Sequence, residues 1–359
     1  MILHIIACLF IVVVLLVIAY QYIFYPRQTM PHGLPIEILT PNPDKYQNDC
    51  LHPCIRFIPE GFCGYLWWMV QSPYYGRDSQ LENPILYCSK DKEFSLEWKC
   101  MGVVRETPSK GFNSDPILFY EDNKLWIFWR EYNTPLCDSL DISMATVGYS
   151  TNDGIHFSSL RVYLTQNDST TDTQQCPILI KRNNKYLFYA THYQYKPERK
   201  GLGIAIWEGT SLENPDFILK ETLKIPVIYT CDKAKQLKIN NHYFFVSKPL
   251  KHDIWHFDLF EYKNKLYMFS VAEWGDNIML SVAEDYKHFR TFRTPLVNAH
   301  ASEKKMGWRP YFYKPTGFIA DNILCLYYTS TGKEDCNKNE LYFTKRKLKF
   351  QQNKRLAIK

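Results

Sequence analysis

In the stretch WHFDLFEYKNKLYMFSVAEW (Trp255 to Trp274), His256 and Asp258 stand two residues apart in a segment that alternates like a β-strand. Residues at i and i+2 of a strand share a face, so an imidazole and a carboxylate look the same way from a segment that otherwise reads as core. A histidine titrates near neutral pH and can act as an acid or a base. Carboxylates set across a scissile bond perform general acid and base work. The chain carries other residues with such potential at short, similar openings: His52 in HPCIRF, Asp115 in SDPILFY, Gln175 in QCPILI, and Trp308 with Arg309 in WRPYFY. An arginine there could make a bidentate contact to a carboxylate or phosphate. Asp258 is the leading carboxylate for a base or nucleophile, and Glu82, in the loop segment LENP, is a second candidate acid. Glu131 and Glu273 follow aromatic strands and read equally as strand-end charges. Tyr74, Tyr75, Trp274 and Trp308 fall in loops where an aromatic ring could stack on a sugar.

These openings belong to a repeat. After a proline-rich linker, one order of elements recurs five times: a short opening, a turn, a strongly aromatic strand, and a third strand. The aromatic strands are GYLWWMV, KLWIFWRE, KYLFYATHY, KLYMFSVAEW and ILCLYYTS, and the openings follow one another at about 50 to 80 residues. Aromatic residues make up 16% of the chain, with 26 Tyr, 22 Phe and 9 Trp, which favours strands over helices. Five similar units of three or four strands point to an all-β, five-bladed β-propeller, whose radial repetition leaves only short sheet edges. The innermost strand of each blade lines the central channel, so the five openings would meet at one rim. Each polar residue alone reads equally as a local cap. Together they point to a solvated polar pocket, since buried charges are costly unless paired.

A propeller with SDP opening its second blade, and WH-x-D and WR openings in its last two, resembles the glycoside hydrolase family 43/32/62/68/117/130 superfold. The resemblance is nearest to family 43-like proteins and covers roughly residues 45 to 345. It implies three carboxylates converging on the funnel: a general base in blade one, an orienting Asp in blade two and a Glu acid in blade three. Asp115 matches the orienting Asp. The chain departs from the pattern twice, with His52 where the base stands and Gln175 where the acid stands, and Gln cannot donate a proton as a general acid. The resemblance thus implies a glycan or polysaccharide partner, cleaved by an atypical set in which His52, His256, Gln175 and Arg309 hold the sugar. A non-catalytic glycan-binding or assembly module, and a phosphorylase using His and Arg to hold phosphate, are the alternatives. No cofactor is expected; the resemblance alone allows a divalent cation in the channel.

The rest of the chain sets the context. Ile2 to Phe24 is apolar apart from His4, Gln21 and a few Tyr, long enough to cross a bilayer as one helix. It lacks the basic start and small-residue cleavage site of a signal peptide. The expected order is a transmembrane anchor (1–25), a linker (26–44), the propeller (45–347) outside the cytoplasm, and a basic tail (348–359). Net charge is +6, spread along the chain, with no nucleic-acid patch. Of 11 cysteines, Cys8 lies in the anchor, and no pair has C-x-x-C spacing. Cys88 and Cys325 sit inside apolar strands and read as buried thiols. Asn167-Asp168-Ser169 is a glycosylation sequon. There is no P-loop, dinucleotide fingerprint, H-E-x-x-H motif or nucleophilic-serine elbow.

Overall fold

The computed structural model describes residues 4, 8–15, 30, 32–90, 97–167, 170–198, 200–224, 226, 229–239, 242–249, 254–272, 275–292, 295–299, 303, 310–332, 335–350 and 356–357, with backbone only for 229–249, 272, 349–350 and 356–357. Trp274, Glu273, Trp308, Arg309 and two of the three sequon residues lie outside this set. So does most of the apolar N-terminal segment, of which residues 8–15 are helical. Among the described residues no helix is long and apolar enough to cross a membrane.

Five antiparallel sheets carry the fold. Their innermost strands are Cys54–Phe62, Phe112–Glu121, Thr171–Arg182, Ile254–Tyr262 and Phe312–Ala320, each in contact with the next and the last with the first. The chain is a five-bladed propeller, as the repeat implies. Each inner strand turns into its aromatic neighbour through two consecutive residues with positive φ: Cys63-Gly64, Asp122-Asn123, Asn183-Asn184, Lys263-Asn264 and Asp321-Asn322. That is the conformation of a type I′ hairpin turn, whose twist matches the strands it joins. The second strands are apolar on both faces because they sit between neighbouring blades. Trp68, Trp129, Phe128 and Phe188 are fully buried there, and Phe128 meets Phe188 edge-on with centroids 5.3 Å apart.

Fourth strands were not evident in the sequence. Lys99–Val103, Arg161–Gln166 and Ile218–Leu223 are short, with many half-buried or exposed residues, and so carry little alternation. In blade five the outer strand comes from the opposite end of the chain. Leu34–Ile36 pairs with Asn339–Lys347 in the register Leu34 to Phe343 and Ile36 to Leu341. This corrects the reading of residues 26–44 as linker: a three-residue strand beside prolines leaves no periodic signal. Gly33 permits the approach, since a Cβ there would fall 2.5 Å from the Phe343 carbonyl oxygen. Ile36 anchors the closure in a core with Tyr46, Ile55, Trp67 and Leu341. Ile36→Ala is expected to cost about 2–5 kcal/mol, read as a lowered urea midpoint; an unchanged midpoint would show that the ring closes without this strand. A further two-stranded hairpin, Tyr229–Ile239 with His242–Pro249, stands between blades three and four. In the basic tail, Lys349–Phe350 pairs with Leu356–Ala357.

Candidate metal and acid–base site at the channel mouth

Three of the inner strands break register where they enter the channel: between Ser114 and Ile117, between Gln175 and Ile178, and between Phe312 and Pro315. Each break holds an X-Pro pair: Asp115-Pro116, Cys176-Pro177 and Lys314-Pro315. Proline removes a ladder donor and disfavours a helical residue before it. Asp115 and Cys176 take φ values of +47° and +51°, a conformation uncommon outside glycine that persists only where its surroundings hold it. Here the hold is visible. The Cys176 N–H donates to Asp115 Oδ2 over 3.1 Å, and Arg130 Nη2 lies 2.7 Å from the same oxygen. The bulge thereby turns the Asp115 carboxylate into the channel, with Oδ1 facing inward.

Two imidazoles meet that oxygen. His52 Nε2 lies 3.4 Å from Asp115 Oδ1, and His256 Nε2 lies 3.5 Å from it. One potential ligand atom from each of the three residues falls within 4.8 Å of the others. All three residues are buried, at 2%, 1% and 2% exposure. Among the described residues, no hydrogen-bond partner meets His52 Nε2 or Asp115 Oδ1, although nearly all buried polar atoms in native proteins have one. The separations are long for hydrogen bonds. The two imidazole–carboxylate separations match the roughly 3.4 Å edge between two ligands that each sit ~2.0–2.1 Å from one tetrahedral ion. Burial holds both imidazoles down to about 3, against the pull of Asp115, so each is neutral and offers a lone pair. Burial alone would raise Asp115; the Arg130 guanidinium overcomes it and holds the carboxyl well below its usual range. Two neutral imidazoles and one carboxylate form a donor set suited to a divalent cation. The residues present fit such an ion.

Glu82 stands beside the cluster. Its Oε2 is 3.4 Å from His52 Nδ1 and accepts a hydrogen bond from Ser114 Oγ at 2.6 Å. Burial pushes its carboxyl up to about 8, opposed by the Ser114 hydroxyl. A carboxyl that keeps its proton near neutral pH is equipped for acid–base work. Ser72 Oγ, 3.0 Å from His52 Nδ1, helps to fix that ring.

The other residues singled out in the sequence fall elsewhere. Asp258 shares the channel face with His256 but is engaged in a different contact. Its oxygens take Arg56 Nη1 and Nη2 at 3.0 Å each, and Oδ2 also accepts from Thr316 Oγ1 at 2.6 Å. Both carboxylate oxygens are thus engaged by a guanidinium and a hydroxyl. Asp258, expected as the activating carboxylate, is thereby held in contacts that join blades one, four and five. Gln175 is buried at the mouth, with its Oε1 3.3 Å from Tyr195 OH. Tyr74 is half-buried, its N–H donates to Asp49 Oδ2, and Glu82 bears on its phenol. Tyr75 instead bonds Asp335. Glu131 is buried and paired with Arg105. Arg130 was missed, yet it bridges Asp115 to Asp172, whose Oδ2 is 2.5 Å from Nη1. Its signal is a charge inside an aromatic strand, FWRE, beside the more conspicuous Glu131. Tyr313 also stands against both imidazoles, and its signal in the sequence is the X-Pro pair Lys314-Pro315 that follows it.

No family model and no curated protein sequence matches the chain. Solved structures do. An N-acetylgalactosamine deacetylase from F. plautii, in complex with blood group B trisaccharide, aligns with a TM-score of 0.65 at 12% identity, over 89% of this chain and 95% of its own. A glycoside hydrolase family 43 enzyme from Xanthomonas citri aligns at 0.56 and 10% identity, over 91% and 94%. The fold is that of the family 43-like propellers. A β-xylosidase gives 0.55 at 13% identity, over 87% and 95%. At such identities the likeness establishes the architecture; what this family 43-like propeller does must come from its own residues.

Proposed function

We propose that the chain is a divalent-metal-dependent hydrolase that removes an acyl group, held as an amide or ester, from a glycan. The observation that carries this reading is the buried His52–Asp115–His256 set, with unpartnered donor atoms at ligand spacing and the protonatable Glu82 beside it. His52, Asp115 and His256 would hold the ion, which supplies Lewis-acid polarisation of the acyl oxygen. In its ionised form, whose share grows as the pH rises toward about 8, Glu82 takes the proton of the attacking water as the new C–O bond forms. It returns that proton to the leaving nitrogen or oxygen as the C–N or C–O bond breaks, and the acyl group departs as a carboxylic acid. Arg130 and the Cys176 N–H keep Asp115 ionised and aimed. The likeness to a sugar deacetylase supports both the reaction class and a glycan substrate.

Glycosidic-bond cleavage is the second reading, favoured by the same Glu82 acid and by the fold shared with a β-xylosidase. Among the described residues, the carboxylate expected to partner Glu82, Asp258, is engaged by Arg56 and Thr316. A membrane anchor at residues 1–25 and a propeller outside the cytoplasm remain part of the proposal, supported by the apolar side chains exposed along residues 9–15.

The test is acetate release from a panel of N- and O-acetylated oligosaccharides by protein loaded with zinc, manganese or cobalt. Glu82→Gln is expected to lower kcat by about 10²–10⁴-fold while the bound metal per chain stays unchanged. New reducing ends without acetate would favour glycosidic cleavage, and glycan binding without any product would favour a binding module.

A further inference from the structure

Blade five contributes one group to the mouth that the reaction above has not used. Tyr313, half-buried in the innermost strand, lies against both imidazoles, with its ring centroid 4.4 Å from that of His256 and 5.4 Å from that of His52. Its phenol oxygen accepts a hydrogen bond from Trp255 Nε1 at 3.3 Å. An indole N–H can only donate, whereas a phenol both donates and accepts. The Trp255 contact therefore occupies an acceptor position and leaves the O–H free to point elsewhere. Among the described residues no acceptor takes that proton. The ring contacts with His256 and His52 set the hydroxyl beside the two imidazoles that would hold the ion.

We propose that Tyr313 is a further catalytic residue, whose O–H donates a hydrogen bond to the oxyanion formed when the acyl carbonyl is attacked, with Trp255 aiming it. This rests on the hydrolytic reading. On attack, the carbonyl π pair moves onto oxygen and the phenol stabilises it without giving up its proton. When the bond to the leaving atom breaks, the pair returns to carbon and the hydrogen bond relaxes. A donor aimed at charge present only in the transition state acts on kcat more than on KM.

The experiment compares the wild type with Tyr313→Phe and Trp255→Phe, all loaded with the same metal. Tyr313→Phe is expected to lower kcat by about 10²–10³-fold, with KM and metal content nearly unchanged. Trp255→Phe, which removes the aiming N–H and keeps an aromatic ring beside Tyr193 and His256, is expected to fall between the wild type and Tyr313→Phe. Calorimetry with methylphosphonate, a tetrahedral anion, supplies a reading apart from turnover, and Tyr313→Phe should bind it about tenfold more weakly. Equal kcat and equal methylphosphonate affinity in wild type and Tyr313→Phe overturn the assignment. A wild type that releases no acyl group from any substrate overturns the hydrolytic reading and the assignment with it; active wild type with an equally active variant overturns the assignment alone.

Discussion

Asp115→Asn is expected to empty the channel mouth of metal and to remove activity. The carboxylate is the only ionised member of the three-residue set, since both imidazoles are neutral. Replacing one oxygen by an amide N–H also points a donor either at Arg130, where an acceptor is needed, or into the space between the two imidazoles that an ion would occupy. Residues that merely support a metal ligand cost about 10–100-fold in affinity when changed, and loss of the ligand itself should exceed that. Lewis-acid stabilisation of several kcal/mol, at 1.36 kcal/mol per tenfold, sets the expected loss of turnover at about 10²–10⁴-fold. Metal per chain, measured by elemental analysis after gel filtration, and acetate release should fall together. An Asp115→Asn protein that keeps its metal and its rate would remove the carboxylate from the site.

Asp258→Asn is expected to act in the opposite way, on stability and not on turnover. Asp258 is fully buried and answers Arg56 through both oxygens, while Thr316 takes one of them as well. Arg56 reaches it from blade one, 202 residues away in sequence, and also donates to the carbonyls of Leu118 and Ile55. The pair thus ties blades one, two and four across the channel. Removing one partner of such a pair leaves a charge without compensation and costs about 3–5 kcal/mol. Urea denaturation of Asp258→Asn should show that loss, while acetate release per folded molecule stays within a few-fold of wild type. Intact stability with lost activity would return Asp258 to the catalytic role that its place beside His256 first suggests.

These two carboxylates show what the sequence could and could not convey. Both stand in blade openings, and both were visible as charges in segments otherwise built from core residues. Period-two alternation places His256 and Asp258 on one face, and that holds in the structure. Alternation carries no information on depth along the channel, which decides that His256 meets Asp115 while Asp258 meets Arg56. Nor does it foretell Arg56, whose partner is distant in sequence. The five blades were legible because each repeats the same hairpin turn and the same aromatic strand. The closing strand at Leu34–Ile36 was not, since three residues beside prolines carry no period. Among the site residues, His52, Asp115, His256 and Glu82 are brought to one place, whereas Tyr74 and Gln175 stand around it. Arg130 and Tyr313 were hidden for different reasons. Arg130 sits in a strand apolar on both faces, next to the more conspicuous Glu131. Tyr313 lies one residue before a proline pair that repeats the Asp115-Pro116 and Cys176-Pro177 pattern, and that repetition was the signal available.

The most direct test of the central claim is a calorimetric titration of chelator-treated protein with zinc and with cobalt, alongside His256→Ala. Wild type should bind one ion per propeller, with cobalt giving the visible absorption of a low-coordinate nitrogen and oxygen site, and His256→Ala should lose both. Wild type that binds no ion, or His256→Ala that binds it as tightly as wild type, would contradict a metal site built from His52, Asp115 and His256.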